Sequence, residues 1–524
     1  MAALPEPDFI LVKFCIAAAI LGVTALIFQK LKSVHPSYPP GPKGVPILGV
    51  MLDFPQERPW IKFKEWSEEY GSDITSFEVL GKRMVVLNSY AATQALLVKR
   101  SAIYSDRPEL PMVNDLQGWN WNLAFMRYGP TWKEHRKLFT QEVQHALAHF
   151  SKKYAFGAAH RLLGSILSSP EDFGAHLKHL TGYFTLSVAY GLDIKPAGDP
   201  YVEIAERANE GLVKAASFPS YLVDAIPALK YVPEWFPGAK FKRDARVWAR
   251  YTKTLREAPF QAAKERYVHG TGKPCVASRG LENIQSGGAR QEQESCLKSV
   301  LGTFYSAGVD TTLSALSTFV LAMVLHPEVQ QTAQKAILEA VGHNRLPEFE
   351  DIQSIPYLQA LVREVFRWQP VVPMAVPRTT TADDHYGGYF IPKGSTIIAN
   401  AWAILQDESI FGKDTHIFNP ERFLTEDGSR LNPSIPSPDM AFGFGRRVCP
   451  GRFLAEHLVV VTIASLLHCF DINKAKDENG KETCPNVDYS TGLVSYPKSF
   501  ACDFKVRSTK LKGLILEAGK DVEN

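Results

Sequence analysis

The sequence predicts a mainly α-helical body with a small β region, carried behind a single N-terminal membrane-spanning helix. Three observations lead there. Long helical patterns dominate from Trp60 to about Arg266 and return from about Cys296. Short clusters of Val, Thr, Ile, Tyr and Gly between residues 371 and 400 read as strands and turns. The stretch Phe9 to Phe28 is apolar except for Lys13 and Thr24, long enough to cross a bilayer. The chain has no repeats and no alternating strand–helix pattern.

The bulk numbers fit one large folded unit. Of 524 residues, 45% are hydrophobic and 22% charged, the balance of a globular protein with a substantial core. A net charge of +3 with no long basic run excludes a nucleic-acid footprint. Seven cysteines, an odd and scattered set without a CxxC pair, suit a reducing compartment and offer no zinc ribbon. The lone Asn-x-Ser triplet, Asn432-Pro433-Ser434, is disqualified as a glycosylation site by its proline.

In chain order, residues 1–36 read as the anchor and its flank, with the helix at about 9–28. Glu6 and Asp8 precede it while Lys30 and Lys32 follow, which places the body on the cytosolic side of a single-pass membrane protein. Residues 37–50, including Tyr38-Pro39-Pro40-Gly41-Pro42, read as a stiff proline-rich hinge. Residues 51–510 form the catalytic body, and 511–524 a polar tail. Inside the body, Ile74–Val79 and Met84–Leu87 read as a strand pair. The polar stretch His269–Glu292 reads as a surface loop. A long apolar helix follows, from about Cys296 to Leu325, then another from Ile355 to Trp368 and a last one from about Gly451 to Cys469.

Before that last helix stands Phe442-Gly443-Phe444-Gly445-Arg446-Arg447-Val448-Cys449-Pro450-Gly451. A helix N-terminus stabilises a thiolate, and proline suits a first helical turn. Gly445 and Gly451 let the backbone approach a flat partner, and Arg447 suits a carboxylate.

Here the chain resembles the cytochrome P450 family, whose haem loop reads Phe-x-x-Gly-x-Arg-x-Cys-x-Gly. Phe442, Gly445, Arg447, Cys449 and Gly451 fill every fixed position. The resemblance implies the cytochrome P450 fold, haem b (iron protoporphyrin IX) as cofactor, and Cys449 as the axial thiolate and sole metal ligand. It further implies that Glu364 and Arg367 of a Glu-x-x-Arg pair form an ionic lock with Arg422 of Pro420-Glu421-Arg422-Phe423. Trp132 and Arg136, at i and i+4, and Arg378 would contact a haem propionate. Asp310 and Thr311, in Ala307-Gly308-Val309-Asp310-Thr311, would relay protons during dioxygen activation. The proline hinge and anchor resemble the microsomal, fungal type, in the endoplasmic reticulum membrane.

No dinucleotide or nucleotide motif occurs in the chain. The resemblance therefore implies electrons from an NADPH-cytochrome P450 reductase, met on a basic rim of Lys133, Lys137, Arg446 and Arg452. Substrate contacts are expected from Met112–Phe125 with Trp119, Trp121 and Leu123, from Phe304 and Ala307, from Val372 to Val376, and from Leu493-Val494. Their apolar character implies hydroxylation of a lipophilic small molecule, a fungal secondary metabolite such as a terpenoid, or alternatively a xenobiotic or aromatic compound. A haem-thiolate isomerase or dehydratase, or a non-catalytic haem protein, is disfavoured by the presence of Asp310-Thr311.

Overall fold

The computed structural model describes residues 37–196, 198–216, 221–284 and 290–523. The expected membrane helix at 9–28 lies outside the described residues. The principal helices are α1 (Pro59–Glu69), α2 (Pro130–His149), α3 (Ser151–Ser168), α4 (Phe173–Tyr190), α5 (Pro200–Ala216) and α6 (Lys240–Val268). They continue as α7 (Val276–Glu282), α8 (Arg290–Leu325), α9 (Pro327–Val341), α10 (Pro356–Trp368), α11 (Arg452–Cys469) and α12 (Thr509–Glu523).

Strands β1 (Ile74–Val79), β2 (Lys82–Leu87), β3 (Arg378–Thr379) and β6 (Thr396–Ala399) make one sheet, in the order β1-β2-β6-β3. β1 and β2 form an antiparallel hairpin, and β2 pairs parallel to β6 with Met84 opposite Thr396. β4 (Asp384–Tyr386) with β5 (Tyr389–Ile391), and β7 (Phe470–Lys474) with β8 (Cys502–Val506), are separate two-stranded ribbons.

The core is built on two helices that are apolar nearly all round, α8 and α11. Both are long and apolar enough to cross a membrane, yet most of their residues are buried within the body. A helix without a polar face belongs in the middle of a large core. α4 and α11 pack against α3, and α4 also packs along α8. α8 and α4 approach closely because Gly308 faces Thr185; a Cβ there would fall 2.7 Å from the Thr185 methyl.

Two segments differ from the sequence expectation. His269–Glu292 is not all loop, because it contains α7, and α8 begins at Arg290, earlier than Cys296. The helix α7 starts on Cys275, whose sulfur accepts from the Ser278 amide at 3.3 Å, and Gly280 leaves room for Leu297 against it. Residues past 511 form α12, with Leu511 and Ile515 buried on one face. Four-residue spacing of two apolar side chains is enough to dock a helix. The stretch 487–501 carries only an isolated bridge between Tyr489 and Pro497, and a regular strand begins at Cys502. The proline-rich segment lies against the sheet: Ser76 donates from its amide to Pro40 and from its hydroxyl to Pro39, and the Arg83 guanidinium stacks 3.7 Å over Tyr38.

Candidate active site

The cysteine loop faces the middle of α8. Gly443 and Gly445 have φ of 91° and 51°, the left-handed region that favours glycine. A Cβ on Gly445 would also lie 2.3 Å from the Leu97 carbonyl, so this position permits no larger residue without movement of the backbone. The Cys449 amide closes the loop by donating to the Phe442 carbonyl at 2.8 Å. The Cys449 thiol lies just before α11. Burial pushes it up, while the Gly451 N–H and the nearby Arg136 and Arg452 charges favour its thiolate.

Between loop and helix lies a cavity. Ala307, Gly308 and Thr311 of α8 line one wall, and Phe442, Cys449 and Gly451 the opposite one. Trp132 and Arg136 of α2, Arg378 of β3 and Arg447 line its side, so one cavity collects most of the expected site residues. Among the described residues, its lining contains one cysteine and no Asp, Glu, Lys or His.

Four guanidinium groups point into this region and bond to backbone carbonyls. Arg136 donates to Val448 at 2.6 Å, and Arg378 to Phe444 at 2.6 Å. Arg447 donates to Ser105 and Met126, both at 2.8 Å, and stacks 4.3 Å from the Trp132 ring. The fourth is Arg107, which the sequence reading missed; it donates to Ala124 and Val376 at 2.6 Å and to Pro377 at 2.7 Å. The neighbouring carboxylate, Asp106, is engaged by Arg127 at 2.6 Å. Burial pushes Arg378 down to about 10, and burial with repulsion from Arg378 pushes Arg447 down to about 9. Concentrated buried cations are costly unless an anionic partner completes them. A ligand carrying carboxylates therefore suits the side wall, and a flat apolar one suits the space between Gly308 and Cys449.

Asp310 and Thr311 are neighbours that face different surroundings. Thr311 lines the cavity, its hydroxyl donating to the Ala307 carbonyl at 2.7 Å. Asp310 is not among the lining residues; the side chains of Asn209 and Tyr496 lie near its carboxyl and favour the charged form. Burial pushes it up to about 6.

Glu364, Arg367 and Arg422 come together behind the loop. Arg367 forks onto Glu364 with contacts of 2.6 and 2.7 Å, and Arg422 reaches the same carboxylate at 3.2 Å. Arg367 also donates to the Leu405 and Thr415 carbonyls, and the Asn419 amide donates to Glu364.

Of the expected substrate contacts, Leu123, Phe304, Ala307, Val372 and Val376 line the cavity. Trp119 and Trp121 do not. They stack at 5.4 Å on each other, and Trp121 packs over Gly302. Leu493 lines a second, outer cavity that shares Arg107, Ala375 and Val376 with the first. Only Arg107-Pro108 in the sequence hinted at a fixed loop position, and nothing in its periodicity marks the arginine as buried.

Comparison with known proteins agrees with this geometry. The family model for cytochrome P450 matches residues 39–502. Cytochrome P450 monooxygenase ple1 of Rhodocybe pseudopiperita is 41% identical over 498 residues, covering 95% of this chain and 94% of that protein. Cytochrome P450 monooxygenase 98 of Postia placenta is 40% identical over 494 residues, or 94% of each chain. Tryptamine 4-monooxygenase of Psilocybe cyanescens is 37% identical over 477 residues, covering 90% and 94%.

Proposed function

Since the chain belongs to the cytochrome P450 family and is a monooxygenase, we propose that it hydroxylates a neutral, lipophilic small molecule at a haem held by Cys449. Haem b would supply dioxygen activation, using electrons carried from NADPH by a partner reductase. Trp132, Arg136, Arg378, Arg447 and the newly found Arg107 would hold its propionates. Phe442 and Gly451 would pack against the ring. Glu364, Arg367 and Arg422 would keep the cysteine loop in register. Asp310 and Thr311 would handle protons, and Arg446, Arg452, Lys133 and Lys137 would present a basic rim to the reductase.

One observation carries the substrate class. The half of the cavity under α8 is lined by Phe139, Phe184, Phe304, Val371 and Val372, and three of the four threonine hydroxyls lining the cavity are engaged. Thr185, Thr303 and Thr311 each donate to a carbonyl of their own helix. A substrate is thus selected by shape and apolar area, as a terpenoid skeleton would be. The amine of tryptamine, a cation at neutral pH, would find no carboxylate among the described lining residues. The three phenylalanines keep a neutral aromatic compound as the second reading.

A membrane setting is supported by one exposed segment. Leu222, Ile226, Tyr231, Trp235 and Phe236 cluster in sequence and are solvent-exposed, with Trp235 81% accessible. Aromatic side chains of this kind suit a lipid interface. With the apolar stretch at 9–28, they favour a single-pass protein of the endoplasmic reticulum with its body in the cytosol.

The test is the reduced, CO-bound absorption spectrum in membranes, then difference spectra with a neutral sesquiterpene and with tryptamine. A red-shifted thiolate band and a spectral shift with the sesquiterpene alone are expected. A band typical of imidazole ligation overturns the Cys449 assignment, and a response to tryptamine alone overturns the substrate class.

A further inference from the structure

Three of the four arginines at the cavity's side wall meet on one short stretch of chain. Tyr104, Ser105 and Asp106 present consecutive carbonyls there. Arg378 donates to Tyr104 at 3.5 Å, Arg447 to Ser105 at 2.8 Å, and the Thr379 amide to Asp106 at 3.0 Å. That last bond belongs to an antiparallel bridge that lays the stretch along β3. The next residue, Arg107, carries a guanidinium of the wall itself.

The Asp106 side chain holds this stretch in place. It is buried and accepts from the Arg107 amide at 2.9 Å and the Tyr128 amide at 2.8 Å. Arg127 forks onto it, Nε at 2.9 Å and Nη2 at 2.6 Å. Burial pushes the carboxyl up, but the Arg127 bond and the two amides outweigh burial and hold it below the ordinary range. Asp106 is therefore an anion at neutral pH. Arg107 and Arg447 line the cavity while Asp106 stands behind them. The four guanidinium groups themselves bond to carbonyls, and Asp106 is the carboxylate that favours the charged forms of Arg107 and Arg447. Its partner Arg127 is 54% exposed against 7% for the carboxylate, so water screens the cation more than the anion. Glu109 also reaches Arg127, at 3.2 Å, but is exposed and screened in the same way.

On the reading of that wall as the propionate site, we propose that Asp106 is a positioning residue of the haem site. It fixes the Tyr104–Arg107 stretch against Arg127 and Tyr128, and its buried charge offsets the arginine wall and so lowers the reduction potential of a bound haem. Reduction adds one electron at the haem; nearby cations favour that added charge and nearby anions oppose it. Four guanidinium groups facing two propionates leave an excess of positive charge. One fixed anion behind Arg107 and Arg447 brings the wall closer to neutral.

Spectroelectrochemical titration of the full-length holoenzyme without substrate tests this on Asp106→Asn, Arg127→Gln and Arg107→Met, each checked for the CO band of the wild type. Asparagine keeps an acceptor for the Arg107 and Tyr128 amides but loses the charge. Asp106→Asn should raise the midpoint potential, while Arg127→Gln, which frees the same carboxylate from its cation, should lower it by a smaller amount. A potential in Asp106→Asn that is unchanged or lower overturns the proposal. A rise in Arg127→Gln also overturns it, because a residue that only clamps the chain would move both variants in the same direction. Where Asp106→Asn takes up no haem, Arg127→Gln decides alone: a fall supports the proposal, and anything else overturns it. Arg107→Met removes a cation from the wall and should lower the potential. If Arg107→Met keeps the wild-type potential, the propionate reading fails and the role of Asp106 with it. If Arg107→Met falls while Asp106→Asn does not rise, the propionate reading stands and only the role of Asp106 is overturned.

Discussion

Arg367 forks onto Glu364 with both side chains fully buried, at 2.6 and 2.7 Å, three residues apart on α10. An ion pair taken from water depends on the remaining donors and acceptors being met, and carbonyls of Leu405 and Thr415 with the Asn419 amide meet them here. Removing one partner strands a buried charge. Arg367→Ala and Glu364→Ala should each cost about 3–5 kcal/mol, and Arg367→Lys should not rescue, because an ammonium cannot reproduce the fork. Thermal unfolding and haem content after purification measure the outcome; a Lys variant as stable as wild type would refute the bidentate requirement.

Gly308→Ala puts a methyl 2.7 Å from the Thr185 methyl where α8 meets α4. Overpacking of this kind costs about 1–3 kcal/mol. The double variant Gly308→Ala with Thr185→Ser should recover most of that loss, since serine lacks the clashing methyl but keeps the hydroxyl that bonds Thr181. A double-mutant cycle by thermal unfolding reports the coupling, and simple additivity would rule out the steric explanation.

Arg107 braces two cavity walls, from Ala124 on one side to Val376 and Pro377 on the other. Arg107→Met keeps much of the volume but leaves those carbonyls without this donor, at a cost of about 1–3 kcal/mol. The variant should also release haem faster, because a cation is gone from the side wall. Haem transfer to apomyoglobin gives the rate; an unchanged rate would remove Arg107 from the propionate set.

Asp224 is buried, its carboxylate accepting from the Met112 amide at 2.9 Å, and burial pushes it up to about 6. A raised carboxyl pKa means that the folded state holds the proton more tightly than the unfolded chain. The associated stabilisation is full below about pH 4 and is lost as pH rises through about 6. Asp224→Asn should therefore stabilise the protein by roughly 2–3 kcal/mol at pH 8. That gain should vanish near pH 4. Melting curves across that range check the sign, and a variant less stable at pH 8 would show that the charge is stabilising.

The haem-loop motif and the helical body were legible in the sequence because each is a local pattern, whereas the Glu364–Arg367–Arg422 set was marked only by the resemblance to the family. A cysteine before a helix, with glycines at positions of positive φ, states its geometry within ten residues. The helices α8 and α11 declare themselves by apolar length, as do β1 and β2 by residue type. α7 and α12 were hidden, because each docks through only a few small or apolar residues inside polar stretches.

The sequence by itself determined the helices and the loop on which the candidate site residues sit, through local spacing and residue type, and the resemblance to the family singled those residues out. Only the tertiary structure decided how they are aimed. It brought Arg107 to Val376 across 269 residues, and turned Asp310 away from the cavity toward Asn209 and Tyr496. The physical reason is that such contacts satisfy buried donors and acceptors between elements distant in sequence. Their partners are chosen by packing, which no local periodicity encodes.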